Sequence, residues 1–174
     1  IPGFAVMPRD PALPTFLVAA GSDLLFVANG EREHPEVVPY SAPLELDQYL
    51  EAGDWTVEPK AAPVGAWPAR VDTLQPRELQ WRTFGARANE RRAATPEWAL
   101  ARALDLAGLG KGRVAVDDWR IAEILKSLGR QAVTCVPGDN VFRKIRLIKS
   151  DVELGHMRRI ARINQDACLA TLRQ

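Results

Sequence analysis

The apolar positions of this 174-residue chain change period several times along its length. Thr15 to Ala20 (TFLVAA) is a continuous apolar run, Gly21-Ser22-Asp23 is turn chemistry, and Leu24 to Ala28 (LLFVA) is a second run. Two apolar runs around a short glycine-containing turn predict a β-hairpin. Their continuous rather than alternating character predicts a sheet covered on both faces. From Asn29 to Arg70 the pattern loses regularity, because prolines at 35, 39, 43, 59, 63 and 68 interrupt it. Inside that stretch Leu44 to Ala52 predicts a short helix ended by Gly53, Trp55 to Glu58 a strand, and Lys60 to Arg70 a loop.

The second half is more periodic. Pro76 to about Arg92 predicts a helix with proline near its start, partly apolar through Leu79 and the stretch Trp81 to Phe84. Thr95-Pro96-Glu97 is a helix start, with Thr95 as N-cap, Pro96 at the first helical position and an acid in the first turn. Leu100, Ala103, Leu104 and Ala107 then form one apolar stripe, closed by Gly108. Arg113 to Val116 predicts a strand and Asp117 or Asp118 a cap. Ile121, Ile124, Leu125 and Leu128 stripe the next helix, which Gly129 ends, and Gln131 to Val136 predicts another strand. Helix and strand alternating in this way argue for an α/β layer with at least one parallel pair. Val141, Ile145 and Ile148 line a further short helix. Ser150-Asp151-Val152-Glu153 is a capping box, and a long helix runs on from it with Leu154, Met157, Ala161, Cys168 and Leu172 on or near one face.

Composition narrows the class. With 47% hydrophobic and 26% charged residues the chain is an ordinary globular one. A net charge of +1 gives no global attraction to nucleic acid or to an acidic membrane. The late cluster Arg143, Lys144, Arg146, Lys149, Arg158, Arg159 and Arg162 is interrupted by Asp151 and Glu153, so it reads as a solvated helical face before a phosphate-binding one. Cys135 and Cys168 each sit in an apolar stretch, which predicts buried, inert thiols and a reducing, cytoplasmic setting. No apolar run reaches the length of a membrane span and no signal peptide opens the chain. The opening Ile1-Pro2-Gly3 and the helical pattern running to Gln174 lead us to expect part of a longer protein.

The residues that carry chemistry elsewhere read as structural here. His34 and His156 are the two imidazoles. Glu153 and His156 have the E-x-x-H spacing of carboxylate-bridged metal sites, which need that spacing twice and further glutamates besides. Asp117-Asp118 follows a strand, without the additional acids a two-metal nuclease needs. Gly108-Leu109-Gly110-Lys111-Gly112 has phosphate-loop composition in the wrong order, with a helix before it and a strand after it. Neither cysteine has a Cys-x-x-Cys partner, and Ser22 and Ser41 lack nucleophile-elbow glycines. No catalytic constellation emerges from these residues.

The run from Leu104 to Ala170 resembles the end of the N-terminal domain of the creatinase, prolidase and aminopeptidase P family, whose catalytic part is the two-metal "pita-bread" fold. The resemblance rests on Arg146, Ile148, Lys149, Ser150, Glu153, Met157, Arg158 and Ala161, an Arg-x-Ile-Lys-Ser run leading through an acid into a helix. Pro2-Gly3-Phe4 is similar to the family's Thr-Gly-Phe after its first strand, and Thr15 to Ala28 to its next two strands. Tyr40 to Arg92 is longer than the family pattern. The resemblance implies an α/β fold: a mixed β-sheet flanked by helices, of ribonuclease-H-like topology, plus a long C-terminal helix. Residues 1–149 would form the domain, lacking the first strand and helix, and 150–174 would lead into a catalytic domain beyond. It implies no catalytic or metal-binding residue in this segment, with two divalent metal ions in the following domain. It further implies a homo-oligomer acting on a peptide or small amidine-type substrate, without nucleic acid or membrane partners. Phe4 and Arg9 are the candidates for reaching a substrate cleft. A peptide-binding module without catalysis is the alternative. We also expect the final apolar stripe to pair with another copy, fold back or fray, since exposing it costs about 25 cal/mol per Å².

Overall fold

The computed structural model describes residues 3–29, 36–62 and 73–172. Among them the chain is mixed α/β, with two small sheets and seven α-helices. It divides into two units. The first comprises Ile1–Val114 and Trp119–Val136, the second Ala115–Asp118 and Pro137–Gln174.

The first unit is built on a three-stranded sheet of β1 (Phe4–Val6), β2 (Phe16–Ala20) and β3 (Glu36–Tyr40), in that order. β1 runs antiparallel to β2, with Phe4 opposite Val18; β2 and β3 are parallel, with Val18 opposite Val38. Alternate residues of β2 serve opposite faces, as the pleat requires. Phe16, Val18 and Ala20 join one cluster with Val38, Tyr40 and the helix α4 (Pro96–Leu106). Leu17 and Ala19 join another with Val37, with Leu24 and Val27 of α1 (Leu24–Ala28), and with Phe84 and Ala88 of α3 (Pro76–Asn89). Both faces are covered, which is why the strand reads as continuously apolar.

α4 is the main cover. Thr95 accepts from the Trp98 backbone N–H at 3.3 Å and Pro96 starts the first turn. The stripe Leu100, Ala103, Leu104 and Ala107 is buried throughout, and so are Trp98, Ala99 and Ala101. Small alanines on the contact face let the helix approach the sheet closely. Beyond Gly108, at φ +72°, β4 (Gly112–Val116) and β5 (Val133–Pro137) form a two-stranded sheet joined through α5 (Arg120–Ser127). The Gly112 N–H donates to Ala132 and the Gly138 N–H to Val116, so the two strands run in the same direction. Leu125 and Leu128 complete the core.

Five readings of the sequence are corrected. Leu24–Ala28 is a helix following a 3-10 turn at Gly21–Asp23, so no hairpin forms. Five apolar residues fit either period, and the helical spacing puts Leu24 and Val27 together against α3. The strand β3, unforeseen because of its proline, takes the place beside β2. Pro39 is tolerated because its carbonyl points away from β2 and accepts the Ala93 N–H at 2.9 Å, on the side where a missing N–H breaks no β2 ladder bond. Trp55–Glu58 is not a strand: Thr56 donates to Asp54 Oδ1 through its amide (3.0 Å) and its hydroxyl (2.6 Å), a local side-chain turn. The N-cap residue of α5 is Trp119 rather than Asp117 or Asp118. The thiols also depart from expectation, since Cys135 is half-buried and Cys168 exposed. The short helix α2 (Leu46–Ala52) forms as its pattern indicates, with Gly53 at φ +62° closing it.

The second unit contains α6 (Asp139–Leu147) and α7 (Asp151–Leu172). The capping box is formed. The Glu153 N–H donates to Ser150 Oγ at 3.3 Å, and the Ser150 N–H to Glu153 at 2.8 Å. No described residue of α7 is buried. No helix is long and apolar enough to cross a membrane among the described residues.

Candidate functional site

In open α/β sheets, ligands sit beyond the carboxyl ends of parallel strands, where the backbone leaves the sheet in different directions. The first unit has such a place. β2 ends in Ala20 and passes into Gly21 and Ser22; β3 ends in Tyr40 and passes into Ser41. These five residues line an open depression of ≈ 340 Å³. Its floor is made of small side chains, and its polar groups are two hydroxymethyls and one phenol.

Each group is held locally. The Ser41 N–H donates to Ala93 at 3.1 Å, and its hydroxyl donates to the Ala62 carbonyl at 3.2 Å. The Ser22 hydroxyl donates to Asp23 at a long 3.4 Å, a bond between neighbours in a turn. Burial pushes the Tyr40 phenol above its ordinary value, and the carboxylates of Asp23 and Glu97 push it further. A neutral phenol and two hydroxyls suit hydrogen bonding to a polar ligand. The lining holds no imidazole or amine to activate either serine. A second depression, of ≈ 460 Å³, runs along α3 between Leu79, Arg82, Thr83, Ala86, Arg87 and Glu90. There Arg87 pairs with Glu36 on β3, as does Arg91.

The sequence candidates are dispersed rather than convergent. Phe4 lies on β1, half-buried and packed against the core, while Arg9 is exposed just after that strand. His34 lies outside the described residues. His156 is exposed on α7, and the Glu153 carboxylate is held by Ser150. In the glycine loop, Gly108 and Gly112 have φ of +72° and +93°. A Cβ at Gly110 would stand 2.4 Å from Asp105 Oδ1. That carboxylate is held by Arg130, whose guanidinium lies 5.9 Å from the Trp98 ring centre. The loop's glycines therefore answer backbone and packing demands. Burial also pushes the Cys135 thiol up, away from the thiolate form a nucleophile requires. Among the described residues no group of three or more His, Cys, Asp and Glu side chains could hold a metal ion.

The β2–β3 depression was not foreseen. Its signal, a second parallel strand ending in Tyr40-Ser41, was hidden by Pro35, Pro39 and Pro43. Comparison with protein-family models, with curated proteins and with solved structures gives no match.

Proposed function

We propose that the chain is the non-catalytic N-terminal domain of a metal-dependent Xaa-Pro peptidase or creatinase-like hydrolase, completing a substrate cleft and an oligomer interface. The observation that carries this reading is the junction between α6 and α7. The Arg146–Ile148–Lys149–Ser150 run leads into a formed capping box at Glu153 and then 22 residues of continuous helix bearing Met157, Arg158 and Ala161. A lead-in helix, a reciprocal cap and a long amphipathic helix form the physical content of the family resemblance. The mixed sheet, with β1 antiparallel and β3 parallel to β2, is compatible with a ribonuclease-H-like domain over 1–149, with 150–174 as the linking helix.

On this reading the protein works in the cytoplasm, on a peptide or small amidine-type substrate. Its two divalent metal ions are held by a following domain. Phe4 and Arg9 would be the candidates to extend into a neighbour's cleft, and the exposure of Arg9 beyond β1 favours it over the half-buried Phe4.

The test is the reading frame of the natural gene and the activity of its full product. The expected result is a frame continuing beyond Gln174 with two aspartates, a histidine and two glutamates as metal ligands. The product should hydrolyse an Xaa-Pro dipeptide or creatine, with loss of activity on chelation. A frame without those ligands overturns the hydrolase reading and leaves peptide binding by a metal-free groove.

A further inference from the structure

α7 carries a face that nothing among the described residues covers. At about 100° per residue, Val152, Met157, Ile160, Ile163, Ala167 and Cys168 fall within roughly 160° of the circumference, an arc that also holds Glu153 and His156 near the helix start and that between Met157 and Cys168 has Asn164 as its one polar member. Val152, Met157, Ile160 and Ile163 are each more than half exposed, at 54, 53, 58 and 57%. Arg158, Arg159, Arg162 and Asp166 lie outside that arc.

We propose that α7 pairs with α7 of a second copy of this chain, antiparallel, about a twofold axis between residues 162 and 163. The charges choose the partner and its direction. Arg159 and Asp166 stand seven residues apart on the same flank of the apolar arc, within about 20° of each other. In an antiparallel pair like flanks meet. A twofold axis midway between the two residues then sets Arg159 of each copy beside Asp166 of the other, giving two opposite-charge contacts. A parallel, in-register pair brings opposite flanks together, and the other flank carries Ala161 and Leu154, so neither Arg159 nor Asp166 meets an opposite charge. The antiparallel register also sets Met157 against Cys168, large against small. It places Asn164 close to the axis, where the two copies' carboxamides can bond to each other; one polar residue in an apolar seam fixes register. The α7 surface thus specifies a copy of itself.

This inference does not rest on the hydrolase reading, and its readout is association rather than activity. The full chain is followed by sedimentation equilibrium over a concentration series. The expected result is a reversible monomer–dimer equilibrium, lost in Ile160→Glu/Ile163→Glu with the tryptophan fluorescence, which comes wholly from the first unit, unchanged. A chain that stays monomeric at the highest concentrations overturns the proposal.

Direction is read with a short bifunctional maleimide. In the antiparallel register the two Cys168 residues are 11 positions apart along the axis, or about 16 Å, so the natural chain resists cross-linking. Ile163→Cys in a Cys168→Ser background, placed beside the axis, should cross-link efficiently, with Cys168→Ser alone as the blank for Cys135. Efficient cross-linking through Cys168 in the natural chain overturns the antiparallel arrangement whatever position 163 does, since a parallel in-register pair brings both positions together.

Discussion

α4 and α7 are both helices with apolar stripes, and both open on a hydroxyl cap whose bond to the third amide measures 3.3 Å. Their surroundings differ completely. Trp98, Ala99, Leu100, Ala101, Ala103 and Leu104 of α4 are buried against the sheet, whereas α7 buries none of its residues. Local sequence determines that a helix forms and where it starts. Whether its apolar face is stabilising depends on what covers it, and that information lies elsewhere in the chain or in another chain.

The largest test of that contrast is truncation on each face. Leu104→Ala removes a side chain exposed by only 3% and leaves a cavity between α4 and the sheet. We expect a loss of about 2–5 kcal/mol, measured by urea unfolding followed through tryptophan fluorescence. Ile160→Ala on α7, in a dilute monomeric sample, should change the same transition by less than about 0.5 kcal/mol. Equal effects would mean that α7 is covered within a single chain.

The caps sharpen the contrast at smaller amplitude. Thr95→Ala should lower global stability by about 1 kcal/mol, because α4 cannot fray without exposing the core. Ser150→Ala removes an equivalent bond, yet its cost should stay local: reduced helical circular dichroism and faster amide exchange over the first turn of α7, with the tryptophan transition unmoved. A shared drop in both transitions would contradict that independence.

The thiols report on the same two regions without a stability measurement. Cys168 is exposed and Cys135 is half-buried with its thiol pushed up by burial. One equivalent of a thiol reagent should react quickly in dilute native protein, and the second only as urea unfolds the first unit. Raising protein concentration should slow the fast equivalent, since pairing of α7 sets Cys168 against Met157. Fast labelling at every concentration would separate Cys168 from the interface.

What could be read in advance follows from how local each signal is. The stripes of α4 and α5, the cap at Thr95 and the box at Ser150 each lie within a few residues, and each is found where the pattern puts it. β1 is three residues long and β3 carries Pro39, so neither has a local period to detect. Leu24–Ala28 had an apolar run that suited two periods, and its contact with Phe84 and Ala88, some sixty residues later in the chain, decided between them. The depression beside Tyr40 depends on which strand neighbours β2, a pairing that no local window contains. Phe4 and Arg9 came from resemblance, which supplied positions without supplying their surroundings.

The smallest expected effect concerns pH, and it belongs to the first unit. Tyr40 has a phenol raised above its ordinary 10.0, by burial first and then by Asp23 and Glu97. A phenol is neutral in its protonated form, so below pH 10 the folded and unfolded chains both keep the proton and the shift has no consequence. Above pH 10 the unfolded chain releases its proton while the folded chain retains it, and stability falls as pH rises through the folded-state value. Tyr49 is shifted in the same direction, also by burial first. Tyr40→Phe should therefore reduce, but not abolish, the decline of the urea midpoint above pH 10. The variant also loses whatever the hydroxyl bonds to, which moves the midpoint by the same amount at every pH. The slope, not the offset, carries the test: an unchanged alkaline slope in Tyr40→Phe would show that the phenol ionises as freely beside β3 as in the unfolded chain.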